Sequence, residues 1–184
     1  MEHLVENTES FEAPGALVAG NMVQYLTFRL GQEVYGLDIL RVQEIRGWEK
    51  TTKLPGVPSY VKGVINMRGE VVPIVDMRER FGISNSPTYD ETTVVIITKM
   101  MLEGADKTSN KTVGLVVDGV SDVEDVTQES VQPAPKFGYE RNPHIDEDFI
   151  TGLSMVEQEG ESVMLILLNV DSMINQGVFN QFKN

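Results

Sequence analysis

GLDILRVQEI, residues 36–45, aligns without a gap on GLVVDGVSDV, residues 114–123. Gly36 matches Gly114, Leu37 matches Leu115, Ile39 matches Val117, Val42 matches Val120, Glu44 matches Asp122 and Ile45 matches Val123. A second match follows in the same order. YVKGVINM before EVVPIVDM resembles FITGLSMV before SVMLILLNVDSM, with Gly63 against Gly152 and an apolar strand ending near an Asp each time. β segments resemble one another through composition alone, but two blocks repeated in order point to internal duplication. The consequence is physical. Two β-units of this size are each too small to bury an adequate core, so they are expected to share one.

The strand pattern is read directly from period two. Leu26, Phe28 and Leu30 fall on one face and Tyr25, Thr27 and Arg29 on the other, as in a half-buried strand. Gly31-Gln32 supplies a turn, and EVYGLDI continues as the paired strand. VQEIRG, GVINM, EVVPIVD, TTVVIIT, TVGLVVDGV, ITGLSMV and SVMLILLN follow as further short strands. Helical signals are few: a turn after Pro58, DMRERFG at 76–82 capped by Asp76, and DSMINQGVFNQF at the C-terminal end capped by Asp171. In the first of these helices Phe81 is expected inward and the charges outward. MLEGADKTSNK, residues 101–111, reads as a long hairpin connection. Residues 1–21 hold four Glu, a Pro-Gly pair and no Lys or Arg, and read as a flexible acidic tail.

Charge and residue usage narrow the function. A net charge of −13 disfavours phosphate backbones and anionic lipid as partners. The absence of Cys excludes disulfides, thiolate metal sites and a Cys nucleophile. The tail lacks the positive segment of a secretory signal, and no apolar run reaches the roughly 18 residues of a membrane span, so a cytoplasmic location is expected. His3 lies in the tail and His144 in the loop RNPHIDED, neither with a second His at ligand spacing. The acidic run beside His144 could attract a cation, but reads more simply as a solvated loop.

Three motif-like stretches also fail. GLVVDGVS has P-loop glycine spacing but Val120 where a lysine must reach phosphate, so its glycines are expected to serve a β-bend. GLSMV lacks the second glycine of a nucleophile elbow. DGVSDVEDVTQE puts Val where a calcium loop needs a ligand and a glycine. No enzyme, metal or cofactor is expected.

NMRGEVVPIVDMRERFG, residues 66–82, carries the most informative surface feature. Arg68-Gly69 sits between two apolar runs and is most simply a hairpin tip, with Gly69 free to take positive φ. Pro73 cannot donate to a ladder, which suggests an edge strand or a bulge. Arg68 is therefore exposed on a rigid turn among Val, Ile and Met. A lone Arg is ordinarily a solubilising charge, but an Arg fork in apolar surroundings is also the composition of an interface anchor. Glu44 in VQEIRG would fix its direction if that strand runs alongside.

These residues also carry a family resemblance. EVYGLDILRVQEIRG, YVKGVINMRGEVVPIVDMRERFG, TTVVIIT, GLVVDGVSDV and VQPAP, in that order over roughly residues 22–175, resemble the CheW family of bacterial chemotaxis coupling proteins. The resemblance implies a mainly β fold of two intertwined five-stranded SH3-like β-barrels sharing a hydrophobic core, with few short helices including one at the C-terminus. It divides the chain into the tail 1–21, a CheW-like domain 22–175 of two quasi-repeated subdomains, and a C-terminal helix end and tail 176–184. It implies a noncatalytic chemotaxis adaptor that couples chemoreceptor cytoplasmic tips (methyl-accepting chemotaxis proteins) to the regulatory domain of the histidine kinase CheA in signalling arrays. Carried over by position, receptor binding falls on Val42, Glu44, Gly63 and Arg68, with Glu44 and Arg68 in contact. Kinase binding falls on Thr51, Lys53, Leu54 and Pro55, and on Phe137 after VQPAP. The location implied is cytoplasmic, tied to membrane receptor arrays through protein partners without membrane insertion. Two alternatives stand beside it: a CheW-like scaffold of another chemosensory pathway, such as surface motility, and a β-barrel nucleic-acid-binding module. The latter wants a basic groove with stacking aromatics, against a net negative chain whose one Trp is Trp48.

Overall fold

A computed structural model describes residues 21–84, 87–103, 108–135 and 147–175. Residues 1–20 of the tail, Phe137, His144 and the stretch 176–184 lie outside the described residues. In chain order the elements are β1 (Met22–Leu30), β2 (Glu33–Asp38), β3 (Val42–Gly47), β4 (Val61–Met67), β5 (Glu70–Asp76), α1 (Met77–Arg80), β6 (Val94–Glu103), β7 (Thr108–Val117), β8 (Gly119–Thr127), β9 (Ile150–Gln158), β10 (Glu161–Leu168) and α2 (Val170–Asn175). Single 3-10 turns occupy Ile39–Arg41, Gln128–Ser130 and Glu147–Phe149.

The strands form two five-stranded sheets, ordered β8-β1-β2-β10-β9 and β3-β6-β7-β5-β4. Moving every strand five places along the chain converts one order into the other. The duplicated blocks are the two places where the chain changes sheet. GLDILRVQEI leaves the first sheet at β2 and enters the second at β3; GLVVDGVSDV leaves the second at β7 and returns to the first at β8. Each sheet is thus built from both halves of the sequence, which is what intertwines them.

Both sheets curl until their end strands meet. After β3 the chain bridges β4, with Thr52 and Val64 exchanging backbone bonds of 2.8 and 2.9 Å. After β8 the equivalent segment bridges β9 through Gln132 and Leu153, with both bonds 2.8 Å. Each bridge passes against a glycine. A Cβ on Gly63 would overlap the Thr52 carbonyl oxygen, and one on Gly152 would overlap Val131 and crowd the Gln132 carbonyl. The Gly63/Gly152 match in the sequence therefore marks the two closures that make SH3-like barrels of the sheets.

The shared core lies between the barrels. Leu26, Phe28, Leu30, Tyr35 and Leu37 of the first sheet meet Ile96, Met100, Val113, Leu115 and Val117 of the second. Smaller clusters fill each barrel, around Tyr25, Val34, Leu165 and Leu167 in one and Ile65, Val72, Ile74, Val95 and Ile97 in the other. β1 is consequently buried on both faces through Tyr25–Phe28 rather than half-buried, because its two sides serve two different cores.

Other sequence expectations need correction. Gly114 lies within β7, not at a bend, and Ile74 and Val95 pack where its side chain would be. β5 is an inner strand. Pro73 is tolerated there because pairing with β7 begins only at Ile74. The β6–β7 hairpin continues through Met101–Asn110 to Glu103–Thr108, so most of residues 101–111 is strand and not loop. Asp76 caps α1 as expected, accepting from the Arg78 N–H at 2.9 Å. The charges of α1 do not point outward: Arg78 and Arg80 are buried with Met77. At α2 the cap is Asn169, whose Oδ1 accepts from the Ser172 N–H at 3.1 Å; Asp171 is engaged elsewhere.

Candidate functional site

The β4–β5 hairpin is pinned by its turn. Met67 pairs with Glu70, leaving Arg68 and Gly69 as the two central residues, with φ of 54° and 86°. Positive φ at both positions is the type I′ geometry that matches strand twist. The Asn66 side chain accepts from the Gly69 N–H at 3.0 Å and steadies the turn. An arginine at positive φ costs on the order of 1 kcal/mol. The same geometry recurs in the β9–β10 hairpin at Glu159 and Gly160, with φ of 51° and 81°. Strain is therefore a property of both turns. What distinguishes them is the sign of the charge each presents.

Arg68 reaches across the seam between the end strands of its barrel. Its Nη2 lies 3.5 Å from Glu44 Oε2 on β3, and the other oxygen of Glu44 lies 3.7 Å from Arg46 Nε. Arg46 is held in turn by Glu49 at 3.0 Å. The chain Arg68–Glu44–Arg46–Glu49 fixes the base of the groove while the Arg68 side chain remains 86% exposed. Leu40, Val42 and Lys99 line the same shallow groove. Leu40 is 84% exposed, the most solvent-accessible large apolar side chain among the described residues. It stands on the 3-10 turn of the sheet crossover, capped by Asp38, whose Oδ1 accepts from the Leu40 N–H at 2.9 Å. An exposed leucine, a half-buried valine and a braced arginine fork in an open groove suit a protein surface rather than an enclosed small molecule.

The structure brings Val42, Glu44 and Arg68 together and places Gly63 apart from them. Gly63 lies at the barrel closure, against Thr51 and Thr52. It supports the loop Thr51–Pro55, whose Thr51 hydroxyl also donates to the Lys62 carbonyl at 2.5 Å. Lys53 and Pro55 of that loop are exposed and Leu54 is partly so. Phe137 lies outside the described residues. The segment leading to it, Val131–Pro135, occupies in the first barrel the place that Thr51–Pro55 occupies in the second, each following its closure bridge. Sequence reasoning missed Leu40, because an apolar residue in an apolar block reads as core.

A second concentration of charge is internal. Asp76 is fully buried and accepts from Arg78 Nε at 3.1 Å, Arg78 Nη2 at 2.8 Å and the Tyr89 hydroxyl at 2.6 Å. Arg78 Nη1 continues to the Thr88 carbonyl at 3.1 Å and to Asp118 Oδ1 at 3.3 Å. Asp118 Oδ2 accepts from the Gly31 N–H of the first barrel at 2.7 Å. Lys62 pairs with Glu79 beside this cluster. Burial raises the Tyr89 pKa, and its bond to the Asp76 carboxylate raises it further. For Arg78 burial acts to lower the pKa, but Asp76 and Asp118 together outweigh it and the net shift is upward. Through Arg78 and Asp118 the cluster ties α1 to Gly31 of the first barrel, which is the geometry of a brace between barrels. Among the described residues no three His, Cys, Asp or Glu side chains converge as a metal ion would need, and no helix is long and apolar enough to cross a membrane.

Known proteins resemble this chain in sequence and in fold. A profile of the CheW-like domain matches residues 24–178. The chain is 39% identical over 160 residues to the chemotaxis protein CheW of Klebsiella aerogenes, covering 86% of each chain. It is 34% identical over 150 residues to the chemotaxis protein CheW of Rhizobium meliloti, covering 81% of this chain and 85% of that one. Among solved structures, the scaffolding protein TtCheW from Thermoanaerobacter tengcongensis superposes with a TM-score of 0.67 at 26% identity, over 85% of this chain and 92% of that one.

Proposed function

The chain belongs to the CheW-like domain family, and from that premise we propose that it is a noncatalytic chemotaxis adaptor joining a chemoreceptor cytoplasmic tip to the regulatory domain of the histidine kinase CheA. The receptor tip docks in the groove of Leu40, Val42, Glu44 and Arg68. The kinase domain docks on the loop Thr51–Pro55, with a second contact expected at Phe137. The protein works in the cytoplasm and reaches the membrane only through these partners. The observation that carries this reading is the braced Arg68, held by Glu44 yet 86% exposed, on one rigid barrel that also presents Thr51–Pro55. Two separate surfaces on a single closed barrel allow a receptor and a kinase to be held at fixed separation. An adaptor transmits state only if its binding differs between states or if it fixes where the kinase sits.

The test is assembly of a ternary complex from this protein, the receptor tip and the kinase regulatory domain, followed by size-exclusion chromatography with light scattering. A complex containing all three chains is expected. Mutually exclusive binding of the two partners would overturn the two-surface arrangement.

The nucleic-acid alternative is disfavoured by a specific contact. The ring of Trp48, the single Trp of the chain, packs on Tyr89 at a 4.2 Å centroid separation, so one of its faces is occupied. A scaffold of a different chemosensory pathway would use the same surfaces with different partners.

A further inference from the structure

An intertwined pair built by duplication carries a hazard. Its first half (β1–β5 with α1) resembles its second (β6–β10 with α2), so a half could pair with its own kind from another molecule instead of with its sister. Four charges, two at the sheet crossovers and two on the helices that clasp them, bear on this choice.

The four positions correspond by place in the fold, although in the gapless alignment Asp118 falls on Leu40, one residue before Arg41. Arg78 and Asp171 are each the second residue of the helix that follows the last strand of a half. Arg41 ends the crossover between β2 and β3, and Asp118 is the crossover between β7 and β8. Each helix residue clasps the crossover of the other half. Arg78 Nη1 meets Asp118 Oδ1 at 3.3 Å. Asp171 takes both ends of the Arg41 guanidinium, at 2.8 and 3.2 Å. The polarity is reversed between the two clasps, so the first half carries Arg at both positions and the second carries Asp at both.

From this arrangement we infer that the four residues form a charge code that selects pairing of unlike halves over like halves. Native pairing gives two Arg–Asp clasps. Pairing two second halves would set Asp118 against Asp171, and pairing two first halves would set Arg41 against Arg78. Like charges at closely apposed positions oppose association, and alternating charge signs select unlike partners in the same way in coiled coils. The penalty falls mainly on two second halves, because Asp76 already partners Arg78 inside the first half. Among the described residues Asp171 meets the cation of the other half, Arg41, and the Met101 N–H at 2.7 Å. The code keeps each molecule paired with itself and so leaves its outer surfaces to other partners.

The test exploits the reversed polarity. Arg41→Asp combined with Asp171→Arg keeps one cation opposite one anion in the native fold. It also gives the second half an anion at position 118 and a cation at position 171, a self-complementary set. Full-length wild type and this double variant are refolded by dilution from urea over a range of protein concentrations and resolved by size-exclusion chromatography with light scattering. Wild type is expected to refold as monomer, and the variant to give at least a threefold larger dimer fraction at the highest concentration. Cross-linking mass spectrometry on mixed light and heavy chains then reads which halves meet between molecules. Links between two second halves support the code; a dimer linked only first half to second half is plain exchange and overturns it. A monomer fraction equal to wild type also overturns it. Should the double variant fail to refold, Arg41→Gln with Asp171→Asn removes one clasp's charge without reversing it. Its dimer fraction is expected above wild type, and an unchanged fraction again overturns the inference.

Discussion

Arg68, at the tip of the β4–β5 turn, lies 3.5 Å from Glu44 on β3, across the seam where the end strands of one barrel face each other. The pair is too exposed to matter much for folding, since surface ion pairs contribute about 0–1 kcal/mol. Its effect is directional. Glu44 holds the guanidinium over the groove, so a docking partner need not immobilise a free side chain. Glu44→Ala is therefore expected to leave the urea midpoint nearly unchanged while weakening receptor-tip binding, as read by titration calorimetry.

Gly63 belongs to a different kind of site. With φ of 125° and the Thr52 carbonyl where a Cβ would stand, Gly63→Ala forces the closure bridge apart. A loss of about 2 kcal/mol or more is expected from combined overpacking and backbone strain. Gly69→Ala, at φ of 86° with no neighbour within 4 Å, is expected to cost only about 1 kcal/mol. Urea denaturation of the two variants side by side checks the order.

The two proposed surfaces are separable. Leu54→Asp is expected to weaken binding of the kinase regulatory domain at least tenfold, about 1.4 kcal/mol, and to leave receptor-tip affinity unchanged. Leu40→Asp is expected to do the reverse. Two calorimetric titrations on each variant decide it, and a variant that lost both partners equally would contradict separate surfaces.

The internal brace makes predictions about stability. Asp76→Asn leaves Arg78 buried without its main counter-charge, and a loss of about 3–5 kcal/mol is expected. Tyr89→Phe removes a hydrogen bond to that carboxylate, worth about 1.5–3 kcal/mol. The same tyrosine shapes the alkaline limb. Its folded pKa is raised, so the folded state holds a proton that the unfolded state gives up once pH passes about 10. Stability is full below that pH and falls as pH climbs above it. Tyr25 and Tyr35, also raised by burial, add to the slope. Tyr89→Phe is expected to flatten the limb without abolishing it, which urea midpoints between pH 8 and 11 would show.

Much of this architecture was legible in the sequence, and the failures share a cause. Gly36/Gly114 and Gly63/Gly152 announced the duplication because a glycine forced by close approach leaves a mark no other residue can supply. Arg68-Gly69 announced its turn, and the expected Glu44–Arg68 contact is present. Arg78 lies inward, against the sequence expectation. Asp76, two residues away, is its main counter-charge, but its second, Asp118, is 40 residues distant and its burial depends on the strand crossing. Asp171 reads as a cap because its partner, Arg41, is 130 residues distant, whereas Asn169 caps α2. Pro73 points to an edge strand or a bulge. The strand is an inner one, its parallel ladder beginning one residue later, and the register with β4 is irregular opposite Ile74 and Val75. Local chemistry is legible at the Asp76 cap and the Arg68-Gly69 turn, but not at the Asn169 cap of α2. What depended on which half meets which was not written in any single segment.

The central claim, that Arg68 anchors receptor docking, is tested most directly by titration calorimetry of the receptor cytoplasmic tip against wild type, Arg68→Glu and Glu159→Arg. The last variant changes the equivalent turn of the other barrel and controls for net charge. The expected result is at least a tenfold loss for Arg68→Glu, about 1.4 kcal/mol, with Glu159→Arg binding like wild type. Undiminished binding by Arg68→Glu, or an equal change in both variants, would contradict it.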